Sequence, residues 1–323
     1  MPSKPYIARG VLRNGHTNSV LSGSIARKIV VHRHCDSFIK QAQEETIDAG
    51  HGIKLLAHIN KQDNHDCPLV ILLHGWLGCS GSLYILSLGK FLFDHGYHVV
   101  RLNLRDHGFT EHLNEKIFHS CRIQEIINSC AYLHHSFNTE TSIIGFSLGG
   151  NFALRVNAYT TNEEFKLNKT ISICPVIDPS STLVSLEDSF FVYQNYFMQR
   201  WKQSFHRKAK AFPNIYSRET FNKFKTLREA TEELAIHYAG FDSLKSYLEG
   251  YSIAEHRLTT LRAPAYVVLA KDDPIIPWND HNKLASSSYL KPYFSDNGGH
   301  CGFLEPNLSN PWIDEFCLNS LSQ

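Results

Sequence analysis

The sequence predicts an α/β protein with a mostly parallel central sheet, helices on both faces and a helical cap inserted late in the chain. Three observations carry this. Short apolar runs alternate with segments of helical period from residue 69 to about 174 and resume near residue 265. Between Pro175 and about Pro264 the alternation stops, and the composition is helical. A Gly-Phe-Ser-Leu-Gly turn stands at the junction of one run with the next helical segment. Strand–helix–strand repeats demand right-handed crossovers, which place helices on both sides of a parallel sheet.

Taken in order, Leu69 to Leu73 is an apolar run bounded by Pro68 and the His74-Gly75 turn. Leu83, Leu86, Leu88, Phe91 and Leu92 follow at helical spacing, ending before Gly96. Tyr97 to Leu104 returns to strand character, and Ile123, Ile126, Ile127 and Ala131 mark the next helix. Thr141 to Gly145 is a strand, and Leu148, Phe152, Val156 and Tyr159 form a helix face. Ile171 to Cys174 and Ala265 to Ala270 are further strands, with a run from Tyr289 to Ser295 near the end. Upstream, Lys28 to Val31 and Ile53 to Ile59 read as antiparallel edge strands joined by the Gly50-His51-Gly52 turn. The expected organisation is one core built from 1–174 and 261–323, with 175–260 as its cap.

Composition limits the function. The 323 residues hold 32 basic and 31 acidic side chains for a net charge of +1, so no whole-chain field draws nucleic acid. The longest apolar run, Ala265 to Ala270, is far short of the ~20 residues of a spanning helix. The N-terminal residues lack the apolar core of a secretory signal. Eight scattered cysteines without Cys-x-x-Cys spacing read as reduced thiols, and the expected location is cytoplasmic. Neither His32-His34-Cys35 nor His134-His135 has zinc-site spacing, so neither a metal nor a cofactor is expected.

Chemistry concentrates at three places. In Gly145-Phe146-Ser147-Leu148-Gly149-Gly150, a strand turns sharply into a helix. Such a turn strains the backbone at the serine, needs glycine two residues away on each side, and lifts the hydroxyl above the strand ends. A serine is a weak nucleophile without a base. Downstream, Lys271-Asp272-Asp273-Pro274-Ile275-Ile276-Pro277 follows a buried strand and offers an acid. Asp273 is favoured, Asp272 reads as a solvated or loop-capping carboxylate, and Asp178 after the 171–174 strand is a reserve position. His300, in Asn297-Gly298-Gly299-His300-Cys301-Gly302, is the candidate base, because paired glycines let the loop fold back. Two backbone donors are expected to face a developing oxyanion, from Leu148 and, in His74-Gly75-Trp76-Leu77-Gly78, from Trp76.

Together these segments resemble the α/β-hydrolase superfamily, and more narrowly its YheT-type branch of esterases and lipid hydrolases, the AB hydrolase 4 family. The elbow is similar to that branch's G-x-SLGGN, Asp272-Asp273-Pro274 to its DDP loop, and Gly298-Gly299-His300-Cys301-Gly302-Phe303 to its GGHxGF loop. Gly15-His16-Thr17-Asn18 resembles its G-H-x-Q-T segment, with Asn18 where glutamine is usual. Tyr238 to Ser252 resembles the close of its helical insert. Trp76-Leu77 replaces Leu-Glu in its HGLEG loop, and Leu104-Arg105-Asp106-His107-Gly108 departs from its Phe-Arg-Gly-Cys-Ser-Gly type. The resemblance implies carboxylic-ester hydrolysis through a Ser-Asp-His triad and an acyl-enzyme. Acyl transfer on the same fold, or a silent binding protein, are the alternatives.

Two features bear on substrate. Phe190, Phe191, Tyr193, Tyr196, Phe197 and Trp201 are either a packing stripe or the wall of an acyl pocket, with Phe191 and Phe197 as the pocket candidates. Over 200–225, eight basic residues face the single acid Glu219. That segment is either a solvated helix face or a peripheral contact with an anionic membrane surface. The expected partner is a small-molecule or lipid ester.

Overall fold

The computed structural model describes residues 4–161, 163–189, 191–308 and 312–323. The chain begins with α1 (Gly15–Ser22) and α2 (Ile25–Gln41), then β1 (Gln43–Asp48), β2 (Lys54–Asn60) and β3 (Leu69–Leu73). There follow α3 (Leu83–Asp94), β4 (His98–Leu102), α4 (Ile123–Phe137), β5 (Thr141–Phe146), α5 (Leu148–Tyr159) and β6 (Leu167–Ile173). Five helices come next: α6 (Pro179–Asp188), α7 (Phe191–Ala211), α8 (Arg218–Asn222), α9 (Leu227–Glu233) and α10 (Leu244–Gly250). The chain closes with β7 (Ala265–Ala270), β8 (Leu290–Ser295) and α11 (Trp312–Leu321).

The eight strands form one sheet in the order β1-β2-β4-β3-β5-β6-β7-β8. β1–β2 and β2–β4 pair antiparallel, and every other pair is parallel. Side chains alternate across the sheet, as a period of two requires. Val70, Leu72, Ile144 and Phe146 pack on one face with α3 and α11 through Leu88, Leu92, Trp312 and Phe316. Leu69, Ile71, Leu73 and Ile143 pack on the other with α4 and α5 through Ile126, Leu133, Phe152 and Val156. Because the sheet is covered on both faces, its central strands are continuous apolar runs rather than alternating ones.

One expected strand is instead a helix. Lys28 to Val31 lies inside α2, and the edge strand paired antiparallel with β2 is Gln43–Asp48, joined through the 50–52 turn. The reason is periodicity at longer range. Arg27, Val31, Cys35 and Phe38 recur at helical spacing and are the buried residues of α2, so burial overrides the β-preference of the local Ile-Val-Val run.

The basic segment at 200–225 also differs from a uniformly solvated face. Lys208 is interior, with its Nζ 2.9 Å from Asp106 Oδ1 and 3.2 Å from the Glu111 carbonyl, and it also donates to the Asn114 carbonyl. Arg207 pairs with Glu111 at 2.7 Å, while Lys202, Lys210, Arg218, Lys223 and Lys225 are exposed. Lys208 therefore fastens α7 to the loop after β4. Burial pushes the Asp106 carboxyl up to about 6 against the opposing pull of Lys208. Removing one member of such a pair strands a buried charge, at a cost of about 3–5 kcal/mol. Lys208→Met is expected to lower the urea unfolding free energy by that amount, and Asp106→Asn in the same chain to recover part of it.

Candidate active site

The backbone at Ser147 has φ 54° and ψ −119°, a conformation that side chains enter only when the surroundings enforce it. The enforcement is steric. A Cβ at Gly145 would stand 2.1 Å from the Gly149 carbonyl oxygen, and one at Gly149 would stand 2.3 Å from that of Leu73. Only glycine permits α5 to start this close to β3 and β5. The Ser147 N–H donates to the Ile173 carbonyl at 2.8 Å, fixing the turn to the end of β6.

Three side chains from distant positions meet above this turn. Ser147 Oγ lies 2.9 Å from His300 Nε2, and His300 Nδ1 lies 2.9 Å from Asp273 Oδ2. Asp273 Oδ1 accepts the N–H groups of Ile275 and Ile276 at 2.8 and 3.0 Å, so the carboxylate is held from behind. Burial disfavours a charged imidazole, but Asp273 and then Cys301 outweigh it and raise His300 well above its ordinary value. With Nδ1–H on Asp273, Nε2 presents a lone pair to the serine hydroxyl. That arrangement can take a proton from Oγ as it attacks an electrophilic carbonyl.

The other two aspartates have different work. Asp272 is half-buried and takes the loop-capping role: its Oδ1 accepts the Gly299 N–H at 2.9 Å and so shapes the loop that carries His300. Asp178 caps α6 through the Ser180 N–H at 2.9 Å and pairs with Lys283 at 2.6 Å.

Trp76 follows β3 in a loop seated on Ser147, since a Cβ at Gly75 would lie 3.2 Å from Ser147 Cβ. His74 holds this loop. Its Nε2 accepts the Leu104 N–H at 3.1 Å, which leaves Nδ1 to donate to the Gly75 carbonyl at 2.8 Å. Burial pushes the His74 imidazole down to about 3, consistent with this neutral tautomer. Tyr84 Oη accepts the Gly75 N–H at 3.0 Å. Leu148 is the first residue of α5, where backbone N–H groups lack helical partners.

Ser147 and His300 open into a cavity of about 960 Å³ between the sheet's carboxyl ends and α6, α7, α9 and α10, with Asp273 enclosed behind the imidazole. Its walls include Leu183, Leu186, Leu234, Leu248 and Phe197. Trp76 stacks on Phe197 at 5.4 Å and meets Trp201 edge-on at 5.0 Å. Phe197 therefore lies on the cavity wall, where it also packs against the insert core. Phe190 lies outside the described residues, as does the side chain of Phe191.

Sequence reasoning missed the support from the first twenty residues. The His300 N–H donates to Ser19 Oγ at 2.7 Å, and a Cβ at Gly15 would stand 1.9 Å from the Asp272 carbonyl oxygen. Asn18 Oδ1 accepts the Leu304 N–H at 3.2 Å. The Gly15-His16-Thr17-Asn18 motif was the available signal, but its contacts span about 280 positions. Among the described residues, one group of metal-ligand type, Cys174, His300 and Cys301, has its ligand atoms within 4.8 Å of one another. No described helix is long and apolar enough to cross a membrane.

A covered parallel sheet with a serine elbow at the end of β5 defines a hydrolase-type architecture. Residues 68–306 match the family model described as alpha/beta hydrolase fold, and the chain belongs to that family. It is 24% identical over 204 residues to human "Monoacylglycerol lipase ABHD2", covering 56% of this chain and 47% of the relative. It is 23% identical over 279 residues to "Medium-chain fatty acid ethyl ester synthase/esterase 2" of Saccharomyces cerevisiae, covering 76% and 60%. The chain thus spans about half the length of the curated relatives it matches. In fold it is similar to the Pyrococcus furiosus esterase PF2001, with a TM-score of 0.55, 15% identity and coverage of 99% and 96%.

Three substitutions separate the carboxylates. Asp273→Asn removes the leading cause of the raised His300 value, so the imidazole should titrate at lower pH in an NMR titration. Wild-type His300 should titrate above the ordinary 6.5. Asp272→Asn should leave His300 raised, and Asp178→Asn should not move it.

Proposed function

We propose that the chain is a serine hydrolase that cleaves carboxylic esters with short- to medium-chain acyl groups, or lipid-like esters. The observation that carries the reading is the Ser147–His300–Asp273 chain, with both links at 2.9 Å, at the floor of a largely apolar cavity. In this reading Ser147 Oγ attacks the ester carbonyl while His300 Nε2 takes its proton. The backbone N–H groups of Trp76 and Leu148 receive the oxyanion, and such a donor is typically worth about 10²–10³ in rate. His300 returns the proton to the leaving alcohol, and water repeats the sequence on the acyl-enzyme. Asp273 fixes the imidazole tautomer throughout.

Within the family, the YheT-type branch fits best. Its Gly-His segment corresponds to α1, which braces the His300 loop, and its DDP motif corresponds to one carboxylate that shapes this loop and one that holds the imidazole. The division into a core of 1–174 and 261–323 with a 175–260 cap belongs to the same proposal. Acyl transfer is the second reading, favoured by the word "synthase" in the name of the yeast relative. An anionic membrane surface is the proposed peripheral contact, through the exposed Lys202, Lys210, Arg218, Lys223 and Lys225.

A fluorophosphonate probe should label wild type at Ser147 and not Ser147→Ala, and the variant should lose hydrolysis of p-nitrophenyl butyrate. Absence of labelling would favour a silent binding protein, and ester products formed with an added alcohol would favour transfer. Activity should rise with pH through the His300 titration, because only the neutral imidazole accepts the proton. Phe197→Ala should shift the acyl-length optimum while sparing the shortest ester. A uniform loss across chain lengths would make Phe197 a packing residue. Salt should depress hydrolysis of vesicle-borne esters more than of soluble ones, since exposed charges are screened within about 8–10 Å.

A further inference from the structure

Two thiols stand behind His300, and the proposed reaction uses neither. Cys174 follows β6 directly, and Cys301 follows His300. Both are buried and both are free. Each occupies the left-handed backbone region, with φ 45° at Cys174 and 59° at Cys301, which non-glycine residues seldom adopt. Each thiol reaches toward the other's segment. Cys174 Sγ lies 3.8 Å from the Gly299 carbonyl, and Cys301 Sγ lies 3.7 Å from the Ile173 carbonyl. The two sulfurs and a His300 nitrogen are mutually within 4.8 Å.

Access and charge distinguish the pair. Cys301 lines the cavity beside Ser147 and His300, whereas Cys174 is fully enclosed and does not. Burial raises both thiols. At Cys301 a hydrogen bond from Cys174 and the charge of His300 overcome that burial and hold the thiol below its ordinary value. At Cys174 burial and its neighbour Cys301 act together and keep the proton on. A thiol open to the cavity thus backs onto an enclosed one.

We propose that Cys301 and Cys174 form an oxidant-modified dithiol site, in which hydrogen peroxide entering the cavity oxidises Cys301 and Cys174 then closes a disulfide. In the first step the Cys301 sulfur attacks one peroxide oxygen and the O–O bond breaks. That oxygen remains as a sulfenic acid, and the other leaves as water. In the second step the Cys174 sulfur attacks the Cys301 sulfur and the S–O bond breaks. The hydroxide departs with the Cys174 proton as a second water. The two sulfurs lose two electrons, and the peroxide gains them.

The bond would act on the site through geometry. A disulfide holds its sulfurs about 2.05 Å apart, so closure draws the 298–302 loop toward β6 and takes His300 with it. It also ends the Cys301 contact with the Ile173 carbonyl, the same oxygen that accepts the Ser147 N–H. Displacing a reacting group by about 1 Å can cost about 10²-fold in rate.

The test exposes the full chain to hydrogen peroxide, alkylates residual thiols under denaturing conditions and maps the peptides, with ester hydrolysis followed in parallel. Expected are a Cys174–Cys301 linked peptide, a ten- to hundredfold loss of hydrolysis, and recovery with dithiothreitol. Cys174→Ser should accumulate a dimedone-reactive sulfenic acid at Cys301 and, on longer exposure, become irreversibly inactive. Cys301→Ser should form no link and lose the peroxide response. A map in which Cys301 stays reduced while other thiols oxidise overturns the proposal, as does a Cys301→Ser variant that peroxide inactivates as fast as wild type. The linked peptide is read without any enzymatic assay. A chain that forms the link yet hydrolyses no ester would refute the functional reading and leave the dithiol site standing.

Discussion

The meeting of three backbones at the carboxyl ends of β3, β5 and β6 governs everything above it. Leu73, Gly145 and Gly149 approach so closely that no Cβ fits at either glycine. That contact forces Ser147 to φ 54° and directs its hydroxyl upward. The Ile173 carbonyl then fixes the turn by accepting the Ser147 N–H, and it lies beside the Cys301 sulfur of the opposite loop. Ser147, the His300 loop and the sheet are therefore registered against one peptide group. A shift of any of the three strands would be transmitted to the Ser147–His300 distance with little slack, because the interior is close-packed.

Much of this could be read in the sequence because its determinants are local. The elbow's glycines, Asp273 three residues past β7 and the histidine in its glycine loop each sit within a few residues of the strand that presents them. The central strands were also legible, since a sheet covered on both faces leaves uninterrupted apolar runs. Lys28 to Val31 misled for the opposite reason. Four residues with β-branched members look like a strand, and only the spacing of Arg27, Val31, Cys35 and Phe38 reveals the helix.

The remaining gaps concern pairings between remote segments. Nothing near Lys208 indicates that its ammonium turns inward to Asp106, about a hundred positions earlier, and net charge over a window cannot distinguish it from Lys202. Asp272 and Asp273 are adjacent and chemically identical. Their separate tasks follow from which loop each faces, since Asp272 holds the backbone of Gly299 and Asp273 the ring of His300. The sequence offered Trp76 only for its backbone N–H, whereas its indole packs against Phe197 and Trp201 of α7. The loop beside the serine and the cavity wall are thus one packed unit.

The bond from the His300 N–H to Ser19 Oγ joins positions 281 residues apart. Contacts of such separation are entropically expensive to close and form late, after local strands and helices have paired. The sheet can therefore assemble before α1 and the His300 loop have found each other. On refolding from denaturant, recovery of the His300 alignment should lag behind recovery of far-UV circular dichroism, so that a species with its sheet formed but the His300 loop undocked precedes the native one.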